Sequence, residues 1–474
     1  MRYYFKLICY INDDKIINEV ITFFLNNILL VSIGETHIYI KIIKIYWFMK
    51  LHAAVANDNF VKYLVIFFFT LLVSHIVFYT LPLQQIDGAN NVNPNTGPPY
   101  NGVDMHGFYT RTSQARDTNY DLPKNYFEES FKILSSNGLN HVRFLIFWES
   151  FVKNPKEFIA ELKTVANAAD KYNIKVLYDN HQFHTSSYLN PQRGTGFPFS
   201  LFEADFAFFY GSGGGTKYPT AKVWWTNWWD RNVRDKDAND GWTLQTEFFK
   251  KVLETVDNHT STIGYEILSE PQVHDKNQWE KIGKYNKFMA DFLRKYTDKT
   301  IAYSMNIPVS LQSPIELNPI NLAKMAPKNV SNLVFKISVY GVPQENEYQE
   351  SRLSNFVQAA ELANVPLYVG EWNNVQRDKI IDEEGEIITF INETFSSINQ
   401  SEANKLVSVF KNLDVWGSAF WQWRVDSHQV QNFNLINITN GKIETTPFFD
   451  IVKTAYQTIY GDTQKTPSNT TTLT

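Results

Sequence analysis

The chain has 474 residues, of which 44% are hydrophobic and 15% aromatic, so it is long enough to bury a large core. Its net charge of −5 excludes a strongly basic nucleic-acid-binding protein, and we expect no nucleic-acid partner. The single cysteine, Cys9, excludes a disulfide framework within the chain and a metal site built on cysteines.

The first 48 residues form a segment of doubtful status. Residues 1–48 are rich in Ile and Asn and have neither a helical nor a strand period. The sequence that begins at Met49 is typical of the start of a secretory leader. We therefore predict that Met49 is the true initiator and that residues 1–48 do not belong to the functional protein.

A long apolar stretch follows within residues 49–82. Residues 63–81 comprise 19 amino acids, and their only potentially charged side chain is His75. At about 1.5 Å per residue, a helix of this length nearly crosses a hydrocarbon core of about 30 Å. A buried core helix is the alternative, but few core helices are apolar on every face. We predict a transmembrane or signal-anchor segment, membrane contact through residues 63–81, and an extracellular domain that is membrane-anchored or secreted.

One large domain, residues 103–462, is predicted between two polar flanks. Residues 83–102 are rich in Pro, Gly and Asn and indicate a linker, whereas the Thr-rich residues 463–474 indicate a disordered tail. Within the domain, eight short apolar runs alternate with segments of helical spacing. The runs cover residues 103–110, 141–148, 175–180, 263–269, 300–306, 332–340, 366–373 and 415–423.

This alternation predicts parallel strands joined by helices, which is an α/β fold. An open doubly wound sheet alternates in the same way. However, eight units in succession, with no Gly-rich phosphate-binding motif after the first strand, favour a closed (β/α)8 barrel of the TIM type.

The connection after the third strand is longer than the others and rich in tryptophan. We predict an insertion at about residues 182–241, and five of the twelve tryptophans lie in or next to it. They are Trp224, Trp225, Trp228, Trp229 and Trp242. One interpretation is a packed lid or subdomain. The other is an aromatic surface that stacks on sugar rings.

Two glutamates end strands that lie across the barrel from each other. Glu270 follows the fourth run and Glu371 ends the seventh, and catalytic groups of such barrels lie at the carboxyl ends of the strands. Paired carboxylates of this kind fit glycosidic cleavage, where one must be protonated and the other ionised. A metal site is the competing interpretation, but His181 and His184 are the only histidine pair with ligand spacing. We expect neither a metal nor a cofactor.

These motifs resemble glycoside hydrolase family 5, the cellulase family, over roughly residues 100–460. The resemblance implies that Glu270, in Ser-Glu-Pro, is the acid/base and that Glu371, in Gly-Glu-Trp, is the nucleophile. It implies substrate-binding roles for Arg143, His181, Ser269, Tyr340 and Trp421. The expected activity is retaining hydrolysis of β-linked polysaccharide or oligosaccharide, most commonly a β-1,4-glucan or mannan, by a monomer.

The sequence departs from the family pattern at two serines. Ser269 stands where the family has an asparagine that holds the sugar 2-hydroxyl, and Ser338 stands where the strand-6 motif has a histidine. We expect weaker contacts there, unless Asn180 or Asn306 compensates. The alternative function is therefore a catalytically weakened, carbohydrate-binding pseudoenzyme at the cell surface, and a third is a structural surface protein that uses only the barrel scaffold.

Two charged residues lie inside predicted strands. Glu266 and Lys336 share the strand parity of Glu270 and Tyr340, respectively, so their side chains are expected to point into the barrel. Because alternate strands contribute to the same interior layers, we predict a buried ion pair between Glu266 and Lys336 with a structural role.

Overall fold

The computed structural model describes the part of the chain that follows the predicted leader. It covers residues 99–111, 123–191, 194–203, 220–274, 278–304, 318–340, 347–373, 378–381, 387–392, 398–424 and 434–461. The segments predicted at 1–48, 49–82 and 463–474 lie outside these residues, so the predictions for them stay predictions. Within the described ranges, no helix combines the length and apolar character needed to cross a membrane.

Eight parallel strands close into a barrel, which confirms the predicted (β/α)8 fold. They are β1 Tyr100–His106, β2 His141–Ile146, β3 Lys175–Asn180, β4 Thr262–Glu266, β5 Thr300–Ser304, β6 Leu333–Tyr340, β7 Leu367–Asn373 and β10 Gly417–Phe420. Each strand pairs with the next, and β10 closes the ring by pairing with both β7 and β1. Because β1 begins at Tyr100, the last residues of the predicted linker 83–102 belong to the barrel.

Ten α-helices accompany the strands in the described part of the chain. They are α1 Tyr126–Ser136, α2 Trp148–Lys153, α3 Pro155–Tyr172, α4 Ala221–Trp229, α5 Gly241–Val256, α6 Trp279–Leu293, α7 Pro319–Ala323, α8 Glu347–Ala363, α9 Gln400–Asn412 and α10 Pro447–Tyr460. The longer helices bury a stripe at helical spacing, as Phe127, Phe131 and Leu134 do in α1. In the longer helices, the spacing of apolar residues in the sequence therefore indicates which face of the helix packs on the sheet.

Two antiparallel hairpins were not predicted from the sequence. One pairs β8 Asp378–Ile381 with β9 Ile387–Asn392, and the other pairs β11 Ile436–Thr439 with β12 Lys442–Thr445. The second turns at Asn440 and Gly441, whose φ angles are 52° and 72°. Asn-Gly between short strands is a strong hairpin signal, so this hairpin was predictable.

The tryptophan-rich connection is packed, which confirms the first interpretation of this segment. Trp224, Trp225 and Trp228 of α4 are fully buried, and the rings of Trp224 and Trp228 stack with centroids 5.1 Å apart. The interpretation of these indoles as a sugar-stacking surface is therefore wrong. The segment instead supports loops at the barrel mouth, because Trp225 Nε1 donates to Thr185 Oγ1 at 2.8 Å and Trp229 Nε1 to the Gln272 carbonyl at 2.9 Å.

Candidate active site

Glu270 lies just beyond β4, in a backbone conformation that is uncommon for a residue with a side chain. Its φ is 44°. Two hydrogen bonds hold it there: its N–H donates to Ser304 Oγ at 2.9 Å, and its carbonyl accepts from Gln182 Nε2 at 2.8 Å. The side chain is largely buried, and Oε1 accepts a hydrogen bond from Ser338 Oγ at 2.6 Å. The carboxyl group is thus fixed in position at the carboxyl end of the barrel.

Glu371 lies on β7 and receives three hydrogen bonds. Lys336 Nζ and Arg143 Nη1 donate to Oε1 at 2.8 and 3.0 Å. The Tyr340 hydroxyl donates to Oε2 at 2.8 Å. Two full positive charges and a phenol therefore stabilise the ionised form of this buried carboxyl group.

The surroundings move the pKa values of the two glutamates in opposite directions. Burial and the neighbouring charge of Glu371 raise the pKa of Glu270 to about 7. Burial also raises the pKa of Glu371, but Lys336 and Arg143 outweigh it and hold this pKa well below the usual range for glutamate. At neutral pH the site therefore contains one readily protonated carboxyl group and one carboxylate.

The two carboxyl groups lie close together across the barrel. Lys336 Nζ is 4.0 Å from Glu270 Oε1 and 2.8 Å from Glu371 Oε1. Since both distances start from one nitrogen, these oxygens are within about 7 Å of each other. Carboxyl groups are about 5–5.5 Å apart in retaining glycosidases and about 6.5–9.5 Å apart in inverting ones. The upper limit of about 7 Å for the separation of the two oxygens reaches only the lower end of the inverting range.

Arg143 of β2 is fully buried and connects several acidic residues. Besides Glu371, its guanidinium contacts Asp104, Asp179 and Glu266, each at 2.8 Å. Asp104 and Asp179 were not among the site residues predicted from the sequence, although Asp179 lies at the end of the third run. These ion pairs fix the guanidinium from three sides and so fix the donor that reaches Glu371.

His181 and Trp421 stack on each other at the mouth of the barrel. Their ring centroids are 5.5 Å apart with planes at 21°. His181 Nδ1 donates to Asp179 Oδ2 at 2.7 Å, and burial lowers the pKa of His181 to about 3. The histidine is therefore neutral at pH 7. Trp421 and Tyr340 are both half-buried, so each presents part of its ring to the cleft.

The two unusual serines are both next to catalytic groups. Ser269 has no exposed surface, and its Oγ accepts from Arg143 Nη2 at 2.9 Å. Ser338 bridges Lys336 and Glu270, accepting from Nζ at 3.0 Å and donating to Oε1 at 2.6 Å. Asn180, proposed as a compensating residue, donates to the Ile267 carbonyl at 3.0 Å. Asn306 lies outside the described residues.

The buried ion pair predicted between Glu266 and Lys336 is present, although each residue has a closer partner. Both side chains point into the barrel, but their charged atoms are 4.0 Å apart. Glu266 contacts Arg143 at 2.8 Å, and Lys336 contacts Glu371 at the same distance. Lys336 is therefore also a partner of the proposed nucleophile, and the structural role predicted for its pair with Glu266 stays a prediction. Its parity with Tyr340 was the signal that could have placed it in the site.

Metal ligands do not gather in the parts of the chain that the structure describes. No group of three or more His, Cys, Asp or Glu residues is arranged to hold a metal ion there.

Comparison with known proteins agrees with the barrel fold. The family model described as Cellulase (glycosyl hydrolase family 5) matches residues 101–426. An endoglycoceramidase of Hydra vulgaris is 25% identical over 218 residues, which are 39% of this chain and 41% of that protein. The chain thus matches less than half the length of this relative.

Solved structures with the same fold include two glycoceramide-cleaving enzymes by name. The crystal structure of an endogalactoceramidase superposes with a TM-score of 0.53 at 17% identity, over 77% of this chain and 83% of the other. Endo-glycoceramidase II from Rhodococcus sp. superposes with a TM-score of 0.50 at 13% identity, over 75% and 78% of the two chains. At these identities the similarity establishes the fold alone.

Proposed function

The chain belongs to glycosyl hydrolase family 5, the cellulase family, and is a glycosidase; from this premise we propose that it cleaves β-glycosides with retention of configuration. The observation that carries the proposal is that the pKa values of two neighbouring carboxyl groups are shifted in opposite directions. The pKa of Glu270 is raised to about 7, whereas two cations keep Glu371 ionised. Glycosidic hydrolysis requires this division of roles, and the two oxygens lie within about 7 Å of each other, which favours the retaining course.

The reaction proceeds in two displacements. In the first, a carboxylate oxygen of Glu371 attacks the anomeric carbon while the Glu270 carboxyl group gives its proton to the departing glycosidic oxygen. A glycosyl ester on Glu371 and an ionised Glu270 result. In the second, Glu270 takes a proton from water, the water oxygen attacks the anomeric carbon, and the ester bond to Glu371 breaks. Both carboxyl groups then return to their starting states.

The remaining residues orient these two groups and the sugar. Arg143 and Tyr340 hold Glu371 through separate oxygens. Trp421, which is half-buried and stacks on the buried His181, supplies a flat apolar surface suited to the face of a sugar. Ser269 is fully buried, so we assign it an indirect role, through its hydrogen bond with Arg143, rather than a direct contact with a sugar hydroxyl.

For the substrate, a glycolipid now stands beside the β-1,4-glucan or mannan expected from the sequence. The name of the Hydra vulgaris relative favours a sugar β-linked to a ceramide. Two exposed phenylalanines support an apolar aglycone: Phe183 is 44% and Phe199 41% exposed, and both follow β3 in the connection that begins at the mouth of the barrel. We propose the glycolipid as the preferred substrate and the glucan or mannan as the alternative.

The pseudoenzyme remains the second candidate function because of Ser269 and Ser338. Neither serine leaves a catalytic group without a partner, since one bonds to Arg143 and the other to Glu270. This arrangement supports the enzyme over the pseudoenzyme.

Trapping the covalent intermediate tests the proposal. We would incubate the full-length chain with 2-fluoro aryl β-glycosides carrying glucosyl, cellobiosyl and mannosyl groups, and follow intact mass and aryl release. The expected result is an increase by one glycosyl unit that is lost in Glu371→Ala and retained in Glu254→Ala, an exposed glutamate of α5. Fluorescent glycosylceramide and cello- or manno-oligosaccharides then compare the two substrates. Sugar binding without any adduct or release would identify the pseudoenzyme.

A further inference from the structure

Lys336 occupies the interior of the barrel beneath the two glutamates. It lies on β6 and has no exposed surface. A buried ammonium group is unfavourable unless charged or hydrogen-bonding partners replace water. Lys336 has both, since Nζ donates to Glu371 Oε1 at 2.8 Å and to Ser338 Oγ at 3.0 Å. The ammonium group is thus directed at the proposed nucleophile.

The glycine before the nucleophile makes room for this lysine. In the pairing of β6 with β7, Ile337 is opposite Val369 but Ser338 is opposite Glu371, so Gly370 is an extra residue in the ladder. A Cβ atom on Gly370 would lie 2.5 Å from Lys336 Cε and 2.6 Å from Cγ. Both distances are far below van der Waals contact, so the lysine stem requires the absence of a side chain here.

We propose that Lys336 is a positioning residue that holds Glu371 ionised and selects which of its oxygens attacks. Lys336 and Arg143 both bind Oε1. Oε2 receives only the Tyr340 hydroxyl in the described structure, and Tyr340 is half-buried at the cleft. Oε2 is therefore the attacking oxygen. This inference rests on the proposed function, because it assigns Lys336 a part in the first displacement.

Several charged groups surround Lys336 and determine how its loss affects the pH dependence. They are Glu266 and Glu270 from β4 and the residues after it, Glu371 from β7, and Arg143 from β2. Asp104 and Asp179, which contact Arg143, also interact electrostatically with Lys336. The positive charge of Lys336 lowers the pKa of both Glu371 and Glu270. Its removal raises both values, so both limbs of the activity profile move to higher pH. A purely structural lysine has no such effect.

The first test is the pH profile of kcat and KM for an aryl β-glycoside. Lys336→Met is compared with Lys336→Arg and with Lys299→Met, a half-buried lysine at the opposite end of the barrel that donates to the His259 carbonyl at 3.0 Å. On the acid limb, kcat/KM of Lys336→Met should fall about tenfold for each pH unit by which the Glu371 pKa rises. The fall should lie in kcat, with KM changed less than threefold or so, and Lys336→Arg should restore part of it.

The inference would be overturned if Lys336→Met left the pH profile unchanged, or if it lowered kcat/KM only as much as Lys299→Met does. Should Lys336→Met fail to fold, Lys336→Gln keeps a donor without the charge and takes its place in the comparison.

A second measurement needs no substrate. A thermodynamic cycle of Lys336→Met and Glu371→Gln, read as urea unfolding midpoints at pH 7, should be clearly non-additive, because each variant leaves the other charge buried without its partner. An active wild type with additive midpoints overturns the inference alone. If the wild type is inert but the midpoints are non-additive, the proposed function is overturned, and the positioning role of Lys336 falls with it. The ion pair of Lys336 with Glu371 is still supported in that case.

Discussion

The Ser338 hydroxyl donates to Oε1 of Glu270 at 2.6 Å, at the position where the family pattern has a histidine. The sequence alone suggested that serine would weaken this side of the site. Instead, the short side chain leaves space for Lys336 Nζ, which donates to the same hydroxyl at 3.0 Å. Serine and lysine together thus supply a hydrogen bond and a nearby positive charge.

Removing the Ser338 hydroxyl should extend activity to higher pH. The hydrogen bond stabilises ionised Glu270 and so lowers its pKa. In Ser338→Ala that pKa rises, and the alkaline limb of kcat/KM should move upward by about one pH unit, given about 1.5 kcal/mol for a hydrogen bond to a charged group. Ser338→Thr, which keeps the hydroxyl, is the control. An alkaline limb that stays in place in Ser338→Ala would contradict the role of this bond.

The wild-type activity should decline above neutral pH because Glu270 must carry a proton in the first displacement. With a pKa of about 7, kcat/KM is expected to fall about tenfold per pH unit well above pH 7. In Glu270→Ala this limb should disappear for substrates with a good leaving group, which need no proton from the enzyme. Azide should accelerate release of the trapped sugar in that variant. Persistence of the limb in Glu270→Ala would assign it to another group.

Substitution of two tryptophans should separate packing from sugar binding. Trp225 is fully buried and donates to Thr185, so Trp225→Ala should lower the free energy of unfolding by about 3–5 kcal/mol. Trp421→Ala should change stability less and lower kcat/KM about tenfold, because its ring borders the cleft. Urea unfolding and steady-state kinetics on both variants provide the comparison. Unchanged stability of the Trp225→Ala protein would contradict the packing role of this indole.

The sequence predicted the residues at the strand ends better than those inside the strands. Glu270, His181 and Trp421 were predictable because barrel enzymes display catalytic groups where strands end. Asp104 was not, since an acidic residue within a strand acquires a role only when a partner such as Arg143 reaches it from a neighbouring strand. Asp179 lies at a strand end, but its role too becomes visible only through its contact with Arg143. Contacts of this kind depend on the register between strands.

Register also explains why the closer contact of Lys336 with Glu371 was not predicted. Tyr368 points into the barrel, so strict alternation along β7 would direct Glu371 outward. The extra residue Gly370 reverses the alternation and turns Glu371 inward, opposite Ser338. An alternating pattern of apolar residues does not reveal the extra residue in β7. Nothing in the sequence distinguishes Gly370, which permits it, from other glycines.

A buried histidine at the base of the barrel should make the fold sensitive to acid. His141 Nδ1 donates to the Lys175 carbonyl at 2.8 Å, and Nε2 accepts from the Tyr368 hydroxyl at 2.7 Å. Burial lowers the pKa of His141 from 6.5 to about 3. The unfolded chain therefore binds a proton that the folded chain does not, and stability contributed by His141 falls as pH drops from about 6.5 toward 3, by about 1.4 kcal/mol per unit.

Other buried groups titrate in the same range, so the contribution of His141 is read as a difference between variants. Urea unfolding at several pH values from 7 to 4 should give a shallower acid decline for His141→Gln than for the wild type. Equal slopes would mean that His141 is protonated in the fold or already neutral in the unfolded chain.

Adding one methyl group at Gly370 should disturb Glu371 through Lys336. The new Cβ would lie 2.5 Å from Lys336 Cε, and hydrogen bonds to Glu371 and Ser338 hold the end of this buried side chain in place. Gly370→Ala should therefore lower both kcat and the unfolding midpoint. In a Lys336→Ala background the clash is absent, so the same substitution should have little further effect on the midpoint. An equal loss in both backgrounds would place the effect in the backbone of β7 instead, because a glycine in a bulge can be required for its own conformation.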